Sequence, residues 1–210
     1  MSDAFIREVD EDLRQKQIND LWKKYGKFII GIAVGIVIIV AGRSLYTYSV
    51  ESKYNEQAAA FSEAVKLNGS EVGTALESVI ASDVDGYEII ATFKKAELEV
   101  AAENKLGAVA ILDQFIETAT VDPIYKDMAN VQAAILEIDT ASSDAVRARL
   151  SLILNGTSKF KHIAAELLAL SELQNGETDA AISRLEALVG DVETPAGIKN
   201  RAEQYLSVIK

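Results

Sequence analysis

The chain of 210 residues carries 21 Lys/Arg against 32 Asp/Glu, a net charge of −11, and contains no cysteine. Disulfides, cysteine metal sites and thiol redox chemistry are thereby excluded, and the acidic balance argues against a nucleic-acid partner. The charge is unevenly placed: residues 51–210 hold 14 Lys/Arg against 26 Asp/Glu, whereas residues 1–50 hold 7 against 6.

Residues 1–26 read as an amphipathic arm. Phe5, Val9 and Leu13 lie four apart, and Ile18, Leu21, Trp22 and Tyr25 continue the apolar face with a drift midway. Lys23, Lys24 and Lys27 suit lipid headgroups, so a helix lying on the membrane surface and a docking segment for another protein both remain open.

Residues 27–50 read as a membrane-spanning helix. Its centre is Phe28–Gly42, FIIGIAVGIVIIVAG, a run without a charged residue. As a helix that run measures roughly 22 Å, short of the hydrocarbon thickness of about 30 Å. The span lengthens if Arg43 snorkels and the helix continues through Leu45, Tyr46 and Tyr48. Trp22 and Tyr25 then mark one interface, and Tyr46 and Tyr48 the other. A buried soluble helix and a cleaved signal peptide compete with this reading. Gly31, Gly35 and Gly42 count against the first, and the long mixed-charge arm counts against the second. Val40-Ala41-Gly42 nonetheless has the small residues of a cleavage site. Arg14, Lys16, Lys23, Lys24 and Lys27 crowd the N-terminal flank, which places the N-terminus in the cytoplasm and the acidic domain outside it. For a bacterial inner membrane, outside means the periplasm. Gly31 and Gly35 form a G-x-x-x-G with Gly42 on nearly the same face, a spacing that suits contact with a second helix, from another copy or another membrane protein.

Residues 51–210 read as an all-α domain built of repeats. The stretch Ser44–Leu67 lacks Pro and Gly and keeps helical spacing, so the span is expected to run stiffly into the first helix of the domain. Four stretches then align without gaps. Leu67, Val100, Ile138 and Leu173 correspond, as do Ala75, Ala108, Val146 and Ala181, and Val79, Leu112, Leu150 and Leu185, with steps of 33, 38 and 35 residues. A polar turn such as Asn175-Gly176-Glu177-Thr178-Asp179 separates the two apolar blocks of each unit. Each unit is therefore a helical hairpin, with a period near the ~34 residues of a tetratricopeptide repeat. Ala96, Ala134 and Ala169 on first helices, and Ala108, Val146 and Ala181 twelve later, are the small residues through which two helices pack closely. Leu112, Leu150 and Leu185 then fill the space to the next hairpin. The repeats are degenerate, lacking the usual Trp, Tyr and Pro, and the first has Glu63 where the others have Ala. Asp85-Gly86 precedes a helix over Tyr87–Glu103. Asp122-Pro123 opens Ile124–Ile138, and Thr194-Pro195 opens Ala196–Ile209, a polar-backed helix suited to cap the solenoid.

Little in the sequence points to catalysis. His162 is the lone histidine and reads as structural. No catalytic, cofactor-binding or metal-ligating set is expected. Glu97, Glu99, Glu103, Asp83, Asp85 and Glu88 form an acidic neighbourhood that is either a solvated face or a docking patch for a basic client. Asn68-Gly69-Ser70 and Asn155-Gly156-Thr157 match glycosylation sequons, but both fall where turns are expected. First helices of such hairpins line the concave side of a solenoid. Tyr87, Phe93, Glu97, Tyr125, Met128, Gln132 and Phe160 are therefore the candidate protein-binding face.

An arm ending in LWKKYGKFI, a single Gly/Ile/Val-rich span and a degenerate repeat domain together resemble the bacterial inner-membrane tetratricopeptide-repeat-like family. The best-known members of that family are described as the ancillary subunit of the Sec translocon. The resemblance covers nearly the whole chain and is most specific at Trp22-Lys23-Lys24-Tyr25-Gly26. It implies an anchored periplasmic interaction module that associates with Sec translocon subunits. Such a module would help pass secreted, unfolded clients to periplasmic chaperones, without cofactor or catalysis. A self-associating envelope scaffold is the alternative.

Overall fold

The computed structural model describes the backbone of residues 2–67, 69–82, 84 and 86–209, with the side chains of these except 2–15, 17–22, 26, 29, 30, 33 and 70. The side chains of Phe5, Val9, Leu13, Ile18, Leu21 and Trp22 thus lie outside the described ones, and so do Asn68, Asp83 and Asp85. Among the described residues every regular element is a helix. In order these are α1 (Ser2–Ala64), α2 (Ser70–Ile80), α3 (Tyr87–Ala101), α4 (Lys105–Thr118), α5 (Pro123–Glu137), α6 (Ser143–Asn155), α7 (Lys161–Gln174), α8 (Thr178–Gly190) and α9 (Ala196–Ile209).

The chain divides into two units, Met1–Asn55 and Glu56–Lys210. The first holds most of α1, whose residues from Glu56 on belong to the second. The α1 stretch Val34–Ala64 is long and apolar enough to cross a membrane, and none of its most apolar window is buried. Val37, Ile38 and Ile39 stand exposed along it. Helical backbone continues without a break through Tyr54 to Ala64.

In the second unit each helix from α2 onward packs on the next, and α5 meets α7 while α7 meets α9. Adjacent hairpins therefore stack through their first helices. The aligned small residues lie in these seams: Ala96, Ala134 and Ala169, with Ala108, Val146 and Ala181, are all buried. Leu112, Leu150 and Leu185 are wholly buried, and Leu112 and Leu150 sit in separate clusters joined through α5. In α5, Ala129 and Ala133 face one cluster while Val131 and Ala134 face the other. The first hairpin solves its misfit by one residue. Glu63 is exposed and paired with Lys66 at 2.7 Å, and the neighbouring Ala64 takes the buried small position beside Val72, Leu76 and Ala91.

The ends of the helices follow the local chemistry. Asn104, Asp122 and Ser142 cap α4, α5 and α6 by accepting from the amides of Gly107, Ile124 and Ala145. Pro123 occupies the first turn of α5, where its missing N–H costs nothing. α3 stops at Ala101 rather than at Glu103, because Glu103 adopts φ 61°, a left-handed turn that ends the helix. Gly176 adopts φ 81° in the α7–α8 turn, where a side chain would be strained. The C-terminal cap is α9. It buries Ala202 and packs Ile198, Tyr205, Leu206 and Ile209 against Leu185 and Leu188, leaving Asn200, Glu203 and Gln204 in solvent.

Candidate protein-binding site

The candidate face divides into three environments. Tyr87 and Phe160 are half-buried in the seams: Tyr87 packs at the first cluster, its ring 6.5 Å from that of Phe61, and Phe160 packs beneath α7. Their area already serves the fold. Tyr125 and Met128, on the first turns of α5, are part-exposed.

Phe93, Glu97 and Gln132 are brought together. They line a groove of about 550 Å³ running between α3 and α5, with Phe61 from the end of α1 at one side. Ala96 and Leu112 lie at its base, and Ile90, Val100, Ile135 and Leu136 form apolar walls. Phe93 is fixed by an edge-to-face contact with Phe115 at 5.9 Å, an arrangement that holds its ring at the wall. Lys94 and Glu97 close an ion pair of 2.9 Å at the rim, the carboxylate side exposed. Ile90, Val100 and Ile135 each stay about two-fifths exposed. A groove with apolar walls and a few polar rim groups suits side chains of another polypeptide.

A model for the tetratricopeptide repeat-like domain matches residues 19–192, most of the chain. The chain belongs to the tetratricopeptide repeat-like domain family. No curated protein and no solved structure matches it. Tetratricopeptide repeat-like domains are typically protein-interaction modules, and the α3–α5 groove is lined mainly by first helices of the repeats.

The remaining polar groups of this tetratricopeptide repeat-like domain serve its seams. Arg149 joins α4, α5 and α6 by binding Asp113 and Glu137, and these carboxylates hold its guanidinium well above the ordinary pKa. Glu172 is fully buried and accepts from Arg184 at 2.8 and 3.0 Å and from Arg147 at 3.1 Å. Burial pushes this carboxyl upward, but the two guanidiniums outweigh it and leave the pKa below the usual range. Glu166 on α7 binds Arg201 of α9 through both oxygens at 2.6 Å, tying the cap down. His162 sits 3.2 Å from Asp191, whose pKa is lowered by the Glu193 amide and by that histidine. Among the described residues no group of His, Asp and Glu could hold a metal ion.

The groove walls Ile90, Val100 and Ile135 are absent from the sequence-derived face. A signal for them existed. Ile90, Phe93, Glu97 and Val100 fall at i, i+3, i+7 and i+10, one stripe of α3 of which the core takes only part of Phe93. Gly31, Gly35 and Gly42 lie on the first unit, and added side-chain carbons there would meet nothing within 4 Å.

Proposed function

We propose that this chain is a single-pass bacterial inner-membrane protein that holds partner polypeptides on a periplasmic repeat domain. Residues 1–26 form the cytoplasmic arm, residues 27–50 the span and residues 51–210 the periplasmic domain. The observation that carries the reading is the apolar α3–α5 groove, exposed on an interaction module with an exposed apolar helix before it. The resemblance at Trp22–Gly26 favours the Sec translocon as the neighbour and secreted chains on their way to chaperones as the clients. Apolar walls supply area for unfolded segments, and the acidic surface favours those that carry Lys or Arg.

A phosphatase reporter fused after Lys210 is expected to be active, reporting an extracytoplasmic terminus, as the Lys/Arg excess before Phe28 requires. Activity of a cytoplasm-only reporter at that position would overturn the orientation. In nanodiscs, the full chain is expected to slow aggregation of an unfolded client without nucleotide. Ile90→Glu combined with Ile135→Glu should weaken that effect about tenfold, since each places a charge on an apolar wall. Deleting Phe28–Gly42 should abolish association with translocon subunits. Robust self-association without client protection would instead support the scaffold, assembled through Gly31, Gly35 and Gly42.

A further inference from the structure

The even-numbered helices repeat one ion pair with a telling difference. Arg149, one residue before Leu150, donates to Glu137 of its own hairpin at 2.6 and 2.9 Å, and to Asp113 of the preceding hairpin through Nη1 and Nη2. Arg184 holds the same register before Leu185 and binds Glu172 of its own hairpin through Nε and Nη2. Asp113 follows Leu112; the residue that follows Leu150 is Ser151. At the register position where Arg149 finds Asp113, Arg184 has Ser151, and the two line one trough. Its Nη1 makes no hydrogen bond among the described residues.

The seat left open is part of a trough of about 650 Å³ between α6 and α8, lined by Ser151, Leu154, Lys161, Arg184, Ala187 and Leu188 among others. The arrangement of its charges differs from its counterpart's. Between α4 and α6 one guanidinium lies between two carboxylates. Between α6 and α8 one buried carboxylate, Glu172, lies between two guanidiniums, Arg184 and Arg147. Arg147 also reaches Asp144 and Glu177 at the outer rim. Asp191 is the one acidic residue lining the trough; it meets His162 and lies in the field of Lys161, which makes no ion pair within 4 Å among the described residues.

We propose that the α6–α8 trough docks an acidic segment of a partner protein. One carboxylate of the segment sits between Arg184 and Ser151, where Asp113 sits one repeat earlier. Neighbouring apolar side chains of the segment lie on Leu154, Ala187 and Leu188. The trough is open rather than enclosed, so a small free carboxylate would remain largely in water and gain little from the ion pair alone. A segment adds the apolar walls. This surface is separate from the α3–α5 groove and does not depend on what that groove binds, so either can fail alone.

The test uses the full chain in nanodiscs and a short fluorescein-labelled peptide alternating aspartate with leucine, beside its asparagine counterpart. The aspartate peptide should bind at least about tenfold more tightly. Ser151→Asp supplies the missing carboxylate from within, and should weaken that binding about tenfold without lowering the melting temperature. The chain has no cysteine, so Ser151→Cys gives a single labelling site in a nearly isosteric background. The aspartate peptide should slow its alkylation and the asparagine peptide should not. Equal binding of the two peptides, unchanged binding to a folded Ser151→Asp protein, or unprotected Cys at position 151 would each overturn the proposal. So would protection by short polyphosphate at lower concentration than by the peptide, which would make the trough a phosphate site.

Discussion

Replacing Leu150 or Leu185 by Ala is expected to lower the unfolding free energy of the repeat domain by about 2–5 kcal/mol in each case. Both side chains are wholly buried, and each closes the space between one hairpin and the next. Removing three carbons there forfeits transfer energy and leaves a cavity that stacked helices cannot readily collapse into. Leu152 supplies the control. It lies two residues further along α6 but is 84 % exposed, so Leu152→Ala should stay within about 0.5 kcal/mol of the parent. Urea denaturation followed by circular dichroism measures all three. A large effect at Leu152 with neutral changes at Leu150 and Leu185 would mean the register of the repeats is wrong.

That register was legible because burial in stacked hairpins is periodic. Ala96, Ala134 and Ala169 recur at the same place because only a small residue lets two helices approach closely there. The same logic explains where reading by alignment stopped. Glu63 breaks the pattern, and only the packing shows that Ala64 replaces it, a shift of one residue in a helix that begins far upstream. The aromatic residues of the candidate face divide: Phe93 lines the α3–α5 groove, whereas Tyr87 and Phe160 are half-buried in the seams. Tyr87 and Phe160 carry large apolar areas, and the seams claim such area before a partner can. The groove walls are plain aliphatic residues, whose role depends on which stripe of α3 and α5 the neighbouring hairpins leave uncovered. The buried Glu172 was also invisible. In sequence it is one of many acidic residues in an acidic domain, and its environment is set by arginines twelve residues later on α8 and twenty-five earlier on α6.

Arg184→Met is expected to destabilise the domain by about 3–5 kcal/mol near neutral pH, and by less in acid. Methionine keeps the apolar stem of the side chain, so the loss comes mainly from the charge. Glu172 is fully buried and would keep Arg147 as its remaining cation, a partner that is itself drawn outward to Asp144 and Glu177. In the parent chain burial raises the carboxyl pKa, and hydrogen bonds from Arg184 and Arg147 pull it below the ordinary 4.5. A carboxylate depressed in the fold contributes stability that is fully present above its unfolded pKa and lost as pH falls through its folded one. The parent should therefore lose stability as pH drops below about 4.5. In the variant the first of the two compensating hydrogen bonds is gone while the burial stays, so the folded chain favours the protonated form. Protonation then relieves the buried charge, and the gap between variant and parent narrows as the solution is acidified from pH 7 toward 4. Glu172→Ala supplies the opposite case: it leaves two part-exposed guanidiniums that water can solvate, and should cost less than Arg184→Met. Unfolding curves across that pH range decide the matter. A cost for Arg184→Met that does not change with pH, or one smaller than that of Glu172→Ala, would show that Glu172 is not held as a buried anion.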